Sequence, residues 1–586
     1  MIQYSKEIYR PCSERLPDDM VFYIAKFVGN QNNIIMRFIN KHWYNVLKKR
    51  LSTRINYTKD FISSVELYKW ARHNLGIHEA NREIILEYGC LEILIQYKER
   101  LLADSLWNAN DFSIAARGGN MMILKWLHAQ NPSCPMDEWA CAKSAKNGYL
   151  HILQWLRSQE VQCPWDEWTC IKAAKNGHLH ILKWVNTQVT ALTKHIQVYL
   201  FAAKYGHLHI LKWLKYDYTP FDRIGSYNID IDFFEDPMIS ENASSGGHLH
   251  ILKWLQTCEH PFLFSEYTCS SAAANGHLHV LQWLRTQDPP CPWDENSCKL
   301  AAKNGHLHIL QWLRAQDPPC PWNEKACGFA ANRGHLHILQ WLRAQNPPCP
   351  WDEFACAFAS ESGHLHILQW LRAQNPPCPW DEMTCELAAE SSHLHILKWV
   401  RYQNPPCNWG EDTCAFASKG GHLHILQWLR SQNPPCPWNE RTCIIAIKHG
   451  HLHMLEWTHA QEPPCLFSNR YAYELASENG HLHILKWLQS QTYYSKWAED
   501  TCMYATRYGH LHILLWLYTK CSLYEWNNNI CADIAVSYGH FHILKWLTES
   551  IGMQFTEHEH SPNMLRRTNS TQNTILSYEE KDELND

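Results

Sequence analysis

The 586-residue sequence has no uninterrupted apolar run near the roughly 18 residues that a membrane-spanning helix needs, so no membrane partner is expected. Its opening, Met-Ile-Gln-Tyr-Ser-Lys-Glu, lacks the basic and apolar regions of a secretory leader, which predicts a place in the cytoplasm or nucleus. Positive charge is not in excess. Lys and Arg number 53 against 58 Asp and Glu, a net charge of -5, and this balance gives no reason to expect a nucleic-acid partner, which calls for a basic face. There is no Gly-rich phosphate loop, no nucleophile elbow, and no carboxylate pair in a singular context. The prediction is a non-enzyme without cofactor or metal.

What the sequence has in abundance is one stretch, Gly305-His-Leu-His-Ile-Leu-Gln-Trp-Leu-Arg-Ala-Gln316, copied along most of the chain. Its first residue recurs at Gly119, Gly148, Gly177, Gly206, Gly247, Gly276, Gly305, Gly334, Gly363, Ser392, Gly421, Gly450, Gly480, Gly509 and Gly539. The dominant step is 29 residues; two steps are 30 and one, Gly206 to Gly247, is 41. A weaker sixteenth copy stands upstream at Gly89-Cys-Leu-Glu-Ile-Leu. Such a period marks a repeat protein.

One repeat, Cys291 to Pro319, reads by its local signals. Asp294 is placed to cap a first helix, Glu295 favours its positive end, and Trp293 is placed to staple onto Cys298. That helix runs through Cys298, Leu300, Ala301 and Ala302 and stops at Gly305, which suits a left-handed terminus. A second helix carries Leu307, Ile309, Leu310, Trp312 and Leu313, and Asp317-Pro318-Pro319 closes it. Helices of about ten residues are marginal alone, whereas burying each Leu or Ile contributes about 1.5 to 3 kcal/mol. Neighbouring repeats must therefore cover both flanks, and the predicted fold class is all-α, a helix-turn-helix solenoid of about 16 repeats.

Gly-His-Leu-His-Ile-Leu-Gln-Trp-Leu, with Ala301-Ala302-Lys303-Asn304 before it, is similar to the Ala-Ala-x-x-Gly-His-Leu-Glu-Ile-Val-Lys-Leu-Leu of ankyrin repeats. The resemblance covers about residues 79 to 550. It departs in length, 29 residues rather than 33, and in opening with Cys-Pro-Trp-Asp-Glu rather than Thr-Pro-Leu-His, which puts the family's projecting β-hairpins in doubt. The short Trp-rich version resembles the large ankyrin sets of giant DNA viruses that infect amoebae. Residues 14 to 50 stand apart from the repeat and resemble an F-box: Leu16, Pro17, Ile24 and Trp43 match its pattern, while Asp19 replaces Glu and Lys41 replaces Arg. That resemblance implies docking on the Skp-type adaptor of a host cullin-RING ubiquitin ligase. The other reading is a helical cap over the first repeat.

The expected layout is a tail at 1-13, the F-box-like segment at 14-50, a linker or half-repeat cap at 51-78, and repeats over 79-552. An acidic, aromatic insertion interrupts the repeats at about 216-240, and a polar, disordered tail fills 553-586. The His-Leu-His pairs, such as His306 and His308, stand two apart on a helix, about 200 degrees, and so cannot converge on one metal. The ankyrin resemblance implies that the first His bonds backbone in the turn and the second replaces an exposed Glu. Cysteines seven apart, such as Cys291 and Cys298, are expected to be buried thiols.

Compared with one another, the repeats from Gly276 to Gly450 keep the second helix almost constant and vary the first. Asn296, Lys325, Phe354, Met383, Asp412 and Arg441 share one variable position, and Lys303, Asn332, Glu361, Glu390, Lys419 and Lys448 share another. In ankyrin repeats first helices line the concave face, so the resemblance makes these residues the candidate surface for a target protein. The functional expectation is a monomeric scaffold, an F-box substrate receptor presenting a target to the ligase, or a scaffold that sequesters a host protein without one.

Overall fold

The computed structural model describes residues 82–551 apart from 102–106, 131, 189–194, 218–235, 259–263, 492–496 and 521–527. The F-box-like segment, the half-repeat cap, both tails and most of the insertion lie outside the described residues. Among the described residues the chain forms 32 α-helices and no strand, which is 16 helix pairs, one for each copy found in the sequence. The chain divides into two compact units, Met1–Thr268 with Gln282–Gln287, and Cys269–Leu281 with Asp288–Asp586. Each is a stack of helix pairs.

The pair around Gly305 shows how the residues dictate the form. Asp294 sits in extended backbone and its Oδ1 accepts from the Asn296 amide at 3.0 Å, which starts the first helix, Glu295–Lys303. Gly305 has φ 84°, and the His306 amide reaches back to the Ala301 carbonyl at 2.9 Å, satisfying a helix-end acceptor. The second helix, Leu307–Arg314, fully buries Ile309, Leu310 and Leu313. The loop then folds back: Gln316 Nε2 donates to Trp312 O at 3.0 Å, and the Cys320 amide donates to Leu313 O at 3.1 Å. Ser392 occupies the left-handed position at φ 67° in its repeat, the one non-glycine with positive φ among the described residues.

Within each unit, first helices of successive repeats pack directly on one another, more closely than second helices do. Small residues allow this approach: Ala301, Ala302, Ala330 and Ala331 are fully buried between them.

Three side-chain ladders join the repeats, and each ends on a backbone carbonyl. In the first, the turn histidine donates through Nε2 to the end of the preceding first helix: His207 to Lys175 O at 3.0 Å, His393 to Glu361 O at 3.0 Å, His510 to Glu478 O at 2.8 Å. A carbonyl only accepts, so these imidazoles carry their proton on Nε2. The second histidine also reaches across, as His180 does to Gly148 O at 3.2 Å and His453 to Gly421 O at 3.0 Å. It is therefore more than a replacement for an exposed Glu. The paired rings also meet, His306 and His308 with centroids 6.0 Å apart. The 200-degree argument fails because His306 precedes the helix as its cap and does not follow the helical spacing.

The second ladder is cysteine. Cys320 donates to Asp294 O at 3.4 Å and Cys349 to Asn323 O at 3.4 Å, each crossing to the preceding repeat. The thiols that meet are 22 residues apart, in neighbouring repeats, as Cys269 and Cys291 do with sulfurs at 3.1 Å. The hydrogen bond with the neighbouring thiol, and then burial, push Cys320 and Cys349 far above the usual thiol range. The expectation of buried thiols thus fits the repeats in which Cys320 and Cys349 lie; one pair, Cys502 and Cys531, is joined instead as a disulfide. The third ladder is Arg and Trp. Arg314 donates to Cys320 O at 2.6 Å while its guanidinium lies 3.9 Å from the Trp322 ring centroid, and Trp322 meets Trp341 edge-on at 6.3 Å. Likewise Trp293 packs edge-on against Trp312 at 6.1 Å.

Candidate functional site

On a helix, residues four and seven apart return to one face. In the first helix Glu295–Lys303 the buried residues are Ser297, Cys298, Ala301 and Ala302, which leaves Asn296, Lys299, Leu300 and Lys303 directed away from the core. The two variable positions therefore lie on one outer face, as their spacing predicts. Lys325, Phe354 and Arg441 are exposed, and Asn296, Met383 and Asp412 are half-buried; Lys303, Asn332, Glu361 and Glu390 are half-buried at the helix end.

Several of these residues engage their counterparts in the next repeat. Asp412 pairs with Arg441 at 2.5 Å, Glu390 with Lys419 at 2.7 Å, and Asn332 Nδ2 donates to Glu361 Oε2 at 3.1 Å. Pairs this exposed contribute about 0 to 1 kcal/mol. They leave the surface charge balanced locally and adjustable without loss of the fold. Asn296 is tied to its own cap, donating to Asp294 Oδ2 at 2.5 Å, and Lys303 lies 5.4 Å from the Phe329 ring centroid.

Between the two variable rows runs a third, which is apolar. Leu300, Phe329, Phe358, Leu387, Phe416 and Ile445 share this position and are all half-buried on the outer face. Phe329 and Phe358 have ring centroids 5.9 Å apart, and Phe354 adds a ring 5.7 Å from Phe358. Tyr504 and Ile534 hold the same position and are half-buried, while Leu475 there is buried, so nine consecutive repeats of the C-terminal unit are apolar at this position. The helical arithmetic that puts Cys298 and Ala302 inside puts Leu300 outside; that signal was available in the sequence.

Glu386 sits beside this stripe, and its carboxyl is pushed up to about 7, first by desolvation and then by Asp412 and Glu382. No cluster of three or more His, Cys, Asp or Glu able to hold a metal occurs among the described residues. No described helix is long and apolar enough to cross a membrane. The face thus combines a continuous apolar stripe with two polar rows that differ from repeat to repeat.

No protein-family model matches the chain, and no curated protein matches it. Among solved structures, the crystal structure of the pentatricopeptide repeat protein PPR10 from maize aligns over 97% of this chain and 95% of its own, at 11% identity and a TM-score of 0.24. A likeness that distant carries no functional argument. The stacked pairs themselves define the class: this is a helical-repeat protein, a solenoid of helix pairs of about 30 residues, compatible with protein binding.

Proposed function

We propose that the chain is an ankyrin-type, non-catalytic scaffold whose first-helix face in the C-terminal unit holds a target protein. One observation carries this reading. In the repeats from Gly305 to Gly450 the near-constant residues include the turn glycine, the carbonyl-bonded histidines and the Arg–Trp contacts, which have partners inside the fold. The variable residues surround a half-buried apolar stripe on the outer face. Interfaces bind through such apolar and aromatic centres with polar rims.

The finer proposal is that residues 14 to 50 act as an F-box, through Leu16, Pro17, Ile24 and Trp43, and recruit a host Skp-type adaptor and its cullin ligase. Catalysis would then be proximity alone, the scaffold raising the effective concentration of target at the ligase. The test is capture of purified Skp-type adaptor by the full chain beside a Leu16→Ala, Pro17→Ala variant. Capture lost in the variant supports the receptor reading. Absence of capture by the folded wild-type chain refutes it and leaves a scaffold that binds its target without a ligase.

A further inference from the structure

The same outer face has a different chemistry in the N-terminal unit. The position that is Leu300 and Phe329 in later repeats is Lys143 and Lys172 here, and the helix-end position is Lys146, Lys175 and Lys204. Lysine in a last helical turn offsets the helix dipole. That role does not fix the residue, because Asn332, Glu361 and Glu390 hold the same position later. Lys146, Lys172, Lys175 and Lys204 have no carboxylate at ion-pair distance among the described residues. Beside them lies an aromatic band: Trp139 and Trp168 stack across neighbouring repeats at 6.5 Å and 25°, and Lys172 stands 5.1 Å from the Trp168 centroid. Phe201 and Tyr205 continue it, with Lys175 5.1 Å from Tyr205. Desolvation lowers the Lys172 pKa, and Lys175 and Lys146 lower it further, so these ammonium groups repel one another and an anion would relieve them.

The face is zoned. Asp137, Glu138, Asp166 and Glu167 line the opposite ends of the same helices, about 8 Å along the axis from the nearest lysines. The positive strip is thus narrow, which suits a segment with spaced charges better than the continuous charge of a nucleic-acid strand. Helices packed at about 8 to 10 Å advance by about three residues of extended chain per repeat.

Building on the protein-binding reading, we propose that the first-helix face across the repeats of Gly148, Gly177 and Gly206 docks an extended acidic segment of a partner protein. Its carboxylates would meet the lysine edge at every third residue, and its apolar side chains would lie on the Trp139–Trp168 band. Whole-chain charge conceals this patch because it averages over both units.

The test is fluorescence anisotropy of the full chain with a labelled peptide carrying Glu at every third residue and Leu between. Binding is expected to weaken with salt, and to fall at least about tenfold in a Lys146→Glu, Lys175→Glu, Lys204→Glu variant. The same reversal at Lys183, Lys212 and Lys253, exposed on second helices of the same unit, is expected to leave binding unchanged. A Lys→Gln version of the first triple serves if the reversal disturbs folding, as judged by its circular dichroism melt. The proposal is overturned by no binding, by equal loss in both triples, by equal binding of a peptide with its Glu residues clustered, or by tighter binding of oligothymidine. Because both sets of substitutions lie in the N-terminal unit, any of those results leaves the target face of the C-terminal unit standing.

Discussion

His393→Ala isolates one rung of the histidine ladder. The imidazole donates to Glu361 O at 3.0 Å, and its Cε1 would stand 2.8 Å from a Cβ built on Gly363, so the ring lies flat on that glycine. Deleting it removes one part-buried hydrogen bond, about 0.5 to 1.5 kcal/mol net. It also uncovers ring carbons packed on the preceding repeat, roughly 0.5 to 1 kcal/mol more. The sum is about 1 to 2.5 kcal/mol, delivered at one junction. Urea denaturation should show the midpoint fall, and hydrogen exchange should place the faster opening in the helices Glu353–Glu361 and Leu394–Arg401 on either side. A midpoint within experimental error of wild type, with unaltered exchange at those helices, would refute the view that this bond holds the repeats together.

Three further outcomes follow from the same geometry. Burial depresses the pKa of His178, His207, His306 and His393 below the usual histidine value, so the unfolded chain binds protons first. The stabilisation is then complete above the unfolded pKa of about 6.5 and is lost as pH falls through the depressed folded values. A urea midpoint at low salt that is equal at pH 7.5 and 5.5 would contradict this. Gly363→Ala should cost about 1 to 2 kcal/mol for its φ of 77° alone. Combined with His393→Ala it should cost less than the sum, since the ring it would strike is gone; additivity in a double-mutant cycle would exclude that contact. Mass-resolved alkylation of the native chain should label Cys90 and Cys258, which are partly exposed, and spare Cys320 and Cys349; equal labelling would contradict their burial.

The repeat was legible because its signals are local. Asp294, Gly305 and Asp317-Pro318-Pro319 each act within a few residues, and a copy number of 16 needs only their recurrence. What was not legible depends on how one repeat registers on the next. The contact of Cys269 with Cys291, 22 residues apart, the bond from His453 to Gly421 O, and Arg314 over Trp322 all cross a junction that no single copy encodes. The candidate face was half legible: variation exposed its polar rows. The Leu300 row follows from angular position, since it stands two residues from both Cys298 and Ala302, which are buried. The lysine and tryptophan face of Lys172 and Trp168 escaped because composition was weighed over the whole chain rather than by unit.

The ladders have a consequence for how such a chain changes over generations. His393, Cys320 and Arg314 each reach for a carbonyl, which every residue carries whatever its side chain. A junction built this way does not ask which copy lies on its other side. Copies can be duplicated, lost or exchanged by recombination between near-identical stretches, and the new neighbours still fit. The outward residues of the first helix travel with each copy as cargo, so a new surface can be assembled by shuffling existing copies rather than by waiting for matched substitutions in two of them.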